Sequence, residues 1–569
     1  MVSNSRPNII FIICDDLAWG DLACHGNPHT STPRLDRMRE ESTRLTRYCS
    51  GPLCTPARAE ILTGRWHLRT GAFDTYCGRA TLHPDEPTIA RTLAKAGYRT
   101  GAFGKWHLGD NYPSRPHDVG FHETLVHRSG GIGQPGDAPA NHLREDESYF
   151  DPTVMCNGVE QDSHGYCSDV FTDACLDFVF RATQDEQPFF AYLAFNAPHT
   201  PLQIADEWVD PYRQAGINET HARLYGMVTN IDANVGRLID HVDQLGLGEQ
   251  TLIIFTSDHG PCGSSGDGDH GQRYNAELRG IKGSMYQGGI QTPCFWRWPG
   301  TLNAGQDVDR VTSTVDVFPT LAGFAHVPAA ADADSSPTDG RELTALLTGK
   351  ISQDTWPERD VFMQWHRGDA PVQYRNYAVI EQRWKLTRPS EDADDELYDL
   401  VDEPHESTNL APMQGARVEA MRRRYDFWFE DVCATRGGRT FDPVVVPLGT
   451  PHENPVVLSQ NDWRTIGEEG WRNDRIRGVW SVRVEHEGRF GVRLRWRKDL
   501  PVGTAYVALG DSIWSVRVAT GATQTDLDPL ILAEGSAQLE AWLETDQTCP
   551  TARHGRFIPA LYVEVERIE

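Results

Sequence analysis

The chain has 569 residues, 39% apolar and 24% charged, which excludes general disorder; at roughly 100 to 200 residues per domain it holds two to four domains or one large α/β core with additions. Asp and Glu outnumber Lys and Arg by 81 to 54, and a net charge of −27 repels nucleic acid and anionic membrane surfaces. An anionic substrate therefore needs a local cluster of cations, and the six lysines (95, 105, 282, 350, 385 and 498) are few enough to inspect singly.

The first predicted element is the run Asn8–Cys14, NIIFIIC, which two carboxylates follow at once. It is too short and too acidic at its end for a signal peptide, and no stretch reaches the ~18 uncharged apolar residues of a membrane-spanning helix. The chain reads as soluble and cytoplasmic as written, or periplasmic or secreted if a leader has been removed. The 12 cysteines form no CxxC pair, so neither a zinc ribbon nor a dense disulfide scaffold is expected, and a reducing compartment is the simpler reading.

Three further apolar runs end in polar or glycine-rich clusters: YRTGAF before Gly104, FFAYLAF before Asn196 and TLIIFT before Ser257. With the first run they predict buried parallel strands. Between them, Glu86–Ala96 and Thr220–Leu245 carry apolar residues at helical spacing. The alternation predicts an α/β fold with a central, mostly parallel sheet covered on both faces.

Ala329–Asp339, rich in Ala, Asp, Ser and Pro, predicts an exposed linker. Beyond it, Val361–Met363, Tyr377–Ile380, Trp384–Thr387 and Glu396–Leu400 predict short antiparallel strands, Val418–Val432 a helix, and the acidic run Glu391–Glu396 a solvated turn. From about Phe441 only β structure is predicted, in Gly478–Glu485, Gly491–Trp496, Ala505–Leu509, Ile513–Ala519 and Leu561–Glu566. Trp463, Trp471, Trp480, Trp496 and Trp514 there are expected in the core. The expected division is a catalytic α/β domain over 1–360, an α+β subdomain over 361–440 and a β-sandwich-like module over 441–569.

Ligands of open α/β sheets bind beyond the carboxyl ends of the strands, and the chemically unusual residues fall there. Asp15 and Asp16 follow the first strand, Lys105 and His107 the second, His199 the third, and Asp258 with His259 the fourth. Adjacent carboxylates repel unless a cation joins them, and this set suits a hard ion, Ca²⁺ or Mg²⁺, although Asp15-Asp16 taken alone also fits a solvated turn. Lys105 and His107 project to one side if the backbone there stays extended. Cys54 precedes a predicted helix over Ala57–Leu62, with Pro56 at its favoured start, which places the thiol at the positive end of the helix dipole. Arg58, one turn on, shares its face.

CTPARAEILTGR around Cys54 resembles the signature of the formylglycine-dependent sulfatase family, of the alkaline phosphatase superfamily. The resemblance spans roughly residues 7–435 and also includes, in order, PNIIFIICDD, GYRTGAFGKWHLG, NAPHTP, TSDHG, GIKGSMYQGGI and LYDLVDEPHESTNLA. It implies an alkaline-phosphatase-like sandwich and hydrolysis of a sulfate ester. It makes Cys54, oxidised to formylglycine by a formylglycine-generating enzyme, the nucleophile as its hydrate. Arg58 would steady that hydrate, Lys105 bind sulfate, His107 take the second hydroxyl proton, and His199 with Lys282 serve the leaving group. Asp15, Asp16, Asp258 and His259, with an oxygen of the modified Cys54, would hold the metal; many relatives carry Asn or Gln at the place of His259.

For the substrate the expectation is a sulfated small molecule, first of all a sulfated saccharide. Trp66, His67, Trp106, Arg115, His117 and the loop Gly130–Asn141 are the candidates for an outer pocket. Two other readings stand beside this one: a phosphodiesterase or phosphonate monoester hydrolase of the same superfamily, and a catalytically silent binder of sulfated glycans. Neither nucleic acid nor membrane is expected as a partner, and the oligomeric state is not readable from the sequence.

Overall fold

The computed structural model describes residues 6–142, 144, 147–263, 273–328, 337–465, 478–497, 500–546 and 557–569. Its centre is a ten-stranded sheet. Five neighbouring strands at its middle run parallel, in the spatial order Thr251–Ser257, Asn8–Cys14, Phe189–Ala194, Arg99–Lys105 and Glu123–His127. Antiparallel strands flank them, among them Cys294–Arg297 on one side and Thr153–Cys156 on the other.

The parallel strands are apolar throughout because both faces are covered. In Asn8–Cys14 the period of two sends Ile10, Ile12 and Cys14 into one core layer and Ile9, Phe11 and Ile13 into the opposite one. The helices Cys167–Gln184 and Glu219–Gln244 close the first layer; Cys54–Thr63, Ile89–Lys95 and Val317–Phe324 close the second. Asn218 caps the longest helix by accepting from the His221 amide. The helix predicted from Glu86 starts only after Thr88, which caps it through the Arg91 amide, while Glu86 is taken up by ion pairs with Arg65 and Arg436.

A four-stranded antiparallel sheet follows, Val361–Gln364, Tyr377–Ile380, Trp384–Arg388 and Glu396–Asp399, with the helix Gly415–Cys433 packed on it. The acidic run before it is not wholly solvated: Asp395 is buried and pairs with Arg388 and Arg422. The remainder forms a seven-stranded and a five-stranded sheet that share one core. Trp463, Trp480 and Trp496 are buried in it, Trp514 packs against its edge, and Trp471 lies outside the described residues. Of the predicted linker, 329–336 lie outside the described residues; Asp339 is packed, pairing with Arg69 and accepting from the Trp66 amide. Among the described residues no helix is long and apolar enough to cross a membrane, and no disulfide is formed.

Candidate active site

Strand register brings the carboxylates together. Cys14 and Ser257 are partners across two parallel strands, so the next residues, Asp15 and Asp258, leave the sheet side by side. Asp258 N donates to Cys14 O (3.1 Å) and Asp15 N to Ala197 O (3.2 Å), which fixes both turns. Asp16 takes a left-handed backbone (φ 66°), a conformation Asp tolerates better than most residues. Lys105 ends its own strand and reaches Asp15 Oδ2 through Nζ. Gly104 cannot be replaced there: a Cβ would lie 1.9 Å from Ala194 O.

The helix that carries Cys54 starts at Cys54 itself, with Leu53 before it offering no side-chain cap, so Pro56 is its third residue and not its first as the sequence suggests. The thiol still sits at the positive end. Its Sγ lies 3.3 Å from Asp15 Oδ1, 3.2 Å from His259 Nε2 and 3.3 Å from Lys282 Nζ. Arg58, fully buried, donates Nη2 and Nε to Asp258 Oδ2 (2.9 and 3.2 Å) and Nη1 to Lys105 O (3.1 Å), tying three elements together.

Beyond Lys105 the chain is not extended, contrary to the expectation for His107: that residue has φ 58°. It reaches the same cavity as Cys54, with Nε2 2.8 Å from Thr75 O and Nδ1 buried with no partner among the described residues. His199 is anchored by Nδ1 to Thr200 O (2.6 Å) and presents Nε2 3.8 Å from Asp16 Oδ2. Lys282 Nζ donates to Asp16 Oδ1 (2.8 Å), and its backbone is pinned to Pro261 O and, through Gly283, to Pro52 O.

This crowding sets the protonation. Burial pushes Asp15 up, but Lys105, His199, Lys282 and Arg58 outweigh it and hold the carboxyl well below its usual value. Burial, aided by Asp15, pushes Asp258 up to about 6 against the pull of His259 and Arg58. Burial opposes charge on His259, yet the neighbouring Asp258 carboxylate raises it to about 9. Burial and Asp15 oppose ionisation of Cys54, whereas Lys105, Lys282 and His259 bring the thiol down to about 6. His107 is held neutral by burial and by the Lys105 charge.

The donors fit a hard divalent cation. Ligand atoms of Asp15, Cys54, Asp258 and His259 lie within 4.8 Å of one another, and Asp15, Asp16 and His199 form a second such group. Asp16 Oδ2 is buried and has no hydrogen-bond partner among the described residues. Three buried carboxylates with an imidazole whose Nδ1 is engaged by Gly260 O form an oxygen-rich set with one nitrogen, suited to Ca²⁺ or Mg²⁺.

Above the cluster opens a cavity of about 240 Å³. Cys54, His107, His199 and Lys282 form its floor; Gly130, Gln134 and Pro135 of the expected loop form one side. None of the five other outer-pocket candidates lines it. Trp66 is buried against Trp428 and Phe362, His67 bridges Glu60 and Gln364 O, and Trp106 donates Nε1 to Gly109 O and Ser114 O inside the core. Arg115 and His117 border a different cleft, where Arg115 pairs with Asp118. The walls are instead Tyr76, Trp365, Arg367, Gln460 and Asn461. Arg367 lies over the Tyr76 ring (4.2 Å) and donates Nη1 to Asp74 (2.6 Å). No spacing or periodicity in the chain marks these five, since they come from three separate segments brought together only by folding.

A family model described as Sulfatase matches residues 7–327, and one described as N-sulphoglucosamine sulphohydrolase, C-terminal, matches 281–423. The chain is 32% identical to arylsulfatase A of Homo sapiens over 378 residues, 60% of this chain and 68% of that protein. It is 30% identical to steryl-sulfatase of Mus musculus over 449 residues, 64% of this chain and 70% of that protein. Among solved structures, Ps i-CgsB in complex with k-i-k-neocarrahexaose superposes with a TM-score of 0.66 at 25% identity, covering 77% of this chain and 100% of that one.

Proposed function

The chain belongs to the sulfatase family and is a sulfuric ester hydrolase, and we propose that it cleaves a sulfate ester carried on a saccharide, at residue 54 as formylglycine and with a bound divalent cation. One observation carries the reading of the site: Cys54, His107, His199 and Lys282 meet at one cavity, and behind them Lys105 pairs with Asp15 in a cluster of three buried carboxylates. For the saccharide, support comes from the walls, where the aromatic faces of Tyr76 and Trp365 stand near a guanidinium and two amide side chains, a mixture suited to a sugar ring with its hydroxyls. The solved structure in complex with k-i-k-neocarrahexaose supports the same class.

As formylglycine hydrate, residue 54 would supply a hydroxyl nucleophile and an aldehyde recoverable after sulfate leaves. A cation held by Asp15, Asp16, Asp258, His259 and an oxygen of residue 54 would supply Lewis-acid charge. The protein's own groups do the rest. Lys105 and Lys282 present ammonium charges to the sulfuryl oxygens in a buried site, where such charges act strongly. Arg58, engaged by Asp258 and the Lys105 carbonyl, is a positioning residue for both. His107 donates its Nε2 proton to Thr75 O, which leaves Nδ1 as the basic atom, and burial keeps the ring neutral and able to accept a proton. His199, fixed through Nδ1, turns Nε2 to the cavity and, when protonated, hands a proton to the leaving alkoxide.

The test joins three measurements on protein produced together with a formylglycine-generating enzyme. The mass of the tryptic peptide Tyr48–Arg58 reports the aldehyde, sulfate release is assayed on sulfated sugars, and thermal unfolding is followed with and without added Ca²⁺. An aldehyde, sulfate release and a Ca²⁺-dependent rise in Tm are expected. An intact thiol with no release, or a Tm indifferent to Ca²⁺ and Mg²⁺, overturns the respective assignment.

A further inference from the structure

The C-terminal β module lies beyond both family models, yet it forms part of the cavity. Its turn Ser459–Asp462 is closed by Asp462, whose Oδ2 accepts from Ser459 N (2.8 Å) and Oγ (2.9 Å), and Trp480 Nε1 donates to Ser459 O (2.7 Å) from beneath. The turn is pressed against two loops of the large domain. Gly78 N donates to Asn461 O (2.7 Å), and a Cβ on Gly78 would lie 2.8 Å from Asp462 O. A Cβ on Gly136 would lie 2.7 Å from the Asn461 Cβ. Asn461 Nδ2 also donates to Asp110 (3.3 Å), the carboxylate that receives the amide of the cavity residue Ser129. Tyr76 and Cys77 are members of the module's apolar core, so the loop that holds His107 through Thr75 is packed from both sides.

Between these anchors stands Gln460. It lines the cavity, is 6% exposed, and its Nε2 is buried with no hydrogen-bond partner among the described residues. A buried amide donor without an acceptor has lost its water and gained nothing in return, a penalty that an oxygen of a bound ligand would remove. We propose that Gln460 is a specificity-determining residue, donating from Nε2 to an oxygen of the organic group that bears the sulfate, with Asn461 as its positioning neighbour. The choice of substrate is thus made jointly by the large domain, which holds the sulfate, and by the β module, which reads what the sulfate is attached to. For a sugar, the acceptor is a ring hydroxyl or an acyl carbonyl; this class rests on the reading above.

Full-length wild type, Gln460→Met and Gln460→Glu, all carrying formylglycine at 54, are compared on one panel of sulfated mono- and oligosaccharides, a steroid sulfate and nitrophenyl sulfate. Methionine keeps the volume and removes the donor; glutamate also adds charge that repels an anionic ligand. The expected result is a fall of about 10-fold in kcat/KM for the preferred ester relative to nitrophenyl sulfate in Gln460→Met, carried mainly by KM, and a larger fall in Gln460→Glu. Unfolding curves that match wild type show that the effect is not loss of fold. Unchanged ratios of kcat/KM between the preferred ester and nitrophenyl sulfate in both variants overturn the inference. A wild-type enzyme that cleaves nitrophenyl or steroid sulfate but no sugar sulfate overturns the saccharide reading instead, and the two variants are then judged on the esters it does cleave.

Discussion

The carboxyl edge of the central sheet and the seam where the β module meets it both face one cavity, but they are built differently. At the sheet edge most of the site's side chains stand at the end of a strand or the start of a helix: register sets Asp15 beside Asp258, Lys105 ends its strand and Cys54 begins its helix. At the seam most links run to backbone atoms: Gly78 N to Asn461 O, Tyr562 Oη to Asp137 O, Arg128 Nη2 to Val457 O and Arg115 Nη2 to His452 O. The edge thus gathers its reactive groups in a few side chains, whereas docking is spread over several links, each with a backbone atom as one partner. If so, single substitutions at the edge abolish function with little change in fold, and those at the seam change both slightly.

The largest effect is expected for Cys54→Ala. It removes the reacting atom from a fully buried position without opening the sheet, so sulfate release falls by at least about 10⁴-fold while Tm stays near that of wild type. Loss of cooperative unfolding in this variant would break the comparison, because the edge would then be structural as well. Arg58→Met sharpens it from the other side. This variant removes the guanidinium from Asp258, a fully buried carboxylate, and breaking such a pair costs about 3 to 5 kcal/mol, readable by denaturant titration. Arg58 is therefore the edge residue expected to fail in stability as well as in activity.

The same contrast explains what the sequence revealed. The parallel strands announce themselves as apolar runs, and residues at their ends inherit a place at the ligand-binding edge, so the clustering of Asp15, Asp16, Asp258, His259, Lys105, His107 and His199 around Cys54 is legible in the sequence. The approach of Lys105 and His107 was foreseen on the wrong ground, since His107 turns through a left-handed backbone. Arg367 and Gln460 left no trace because neither stands at a strand end of the large sheet nor in a periodic pattern; their position depends on how the later sheets dock. Trp66 and Trp106 misled for the complementary reason: large aromatic residues near motifs are more often needed by the core, which here buries both.

At the seam, Asp137 offers a pH-dependent test. Burial, reinforced by Asp110, raises its carboxyl to about 7 although the amides of Gly133 and Ala138 and the Asn141 side chain favour the charged form. The folded state therefore holds a proton that the unfolded chain releases near pH 4, so stability through this group is greatest below pH 4, declines as pH rises and levels off above about 7. Asp137→Asn has no proton to lose. The difference between the two unfolding free energies should grow by a few kcal/mol, of order 2 to 4, from pH 4 to pH 8. Parallel curves would mean that Asp137 is charged in the folded protein and that the seam is wetter than its burial indicates.

The smallest effect is expected for Asn461→Ala. Its side chain gives the seam one hydrogen bond, to Asp110, while its carbonyl keeps the bond from Gly78 whatever the side chain. Deleting a single amide-to-carboxylate bond of 3.3 Å costs about 1 kcal/mol, and Asp110, which burial already raises to about 6, still receives the Ser129 amide. A modest rise in KM with kcat nearly unchanged should follow, because Gln460 is left less firmly placed while the floor of the cavity is untouched. A collapse of kcat comparable to that of Cys54→Ala would mean that the turn holds the His107 loop itself, through Gly78 and Thr75, and that catalysis and docking are one structure.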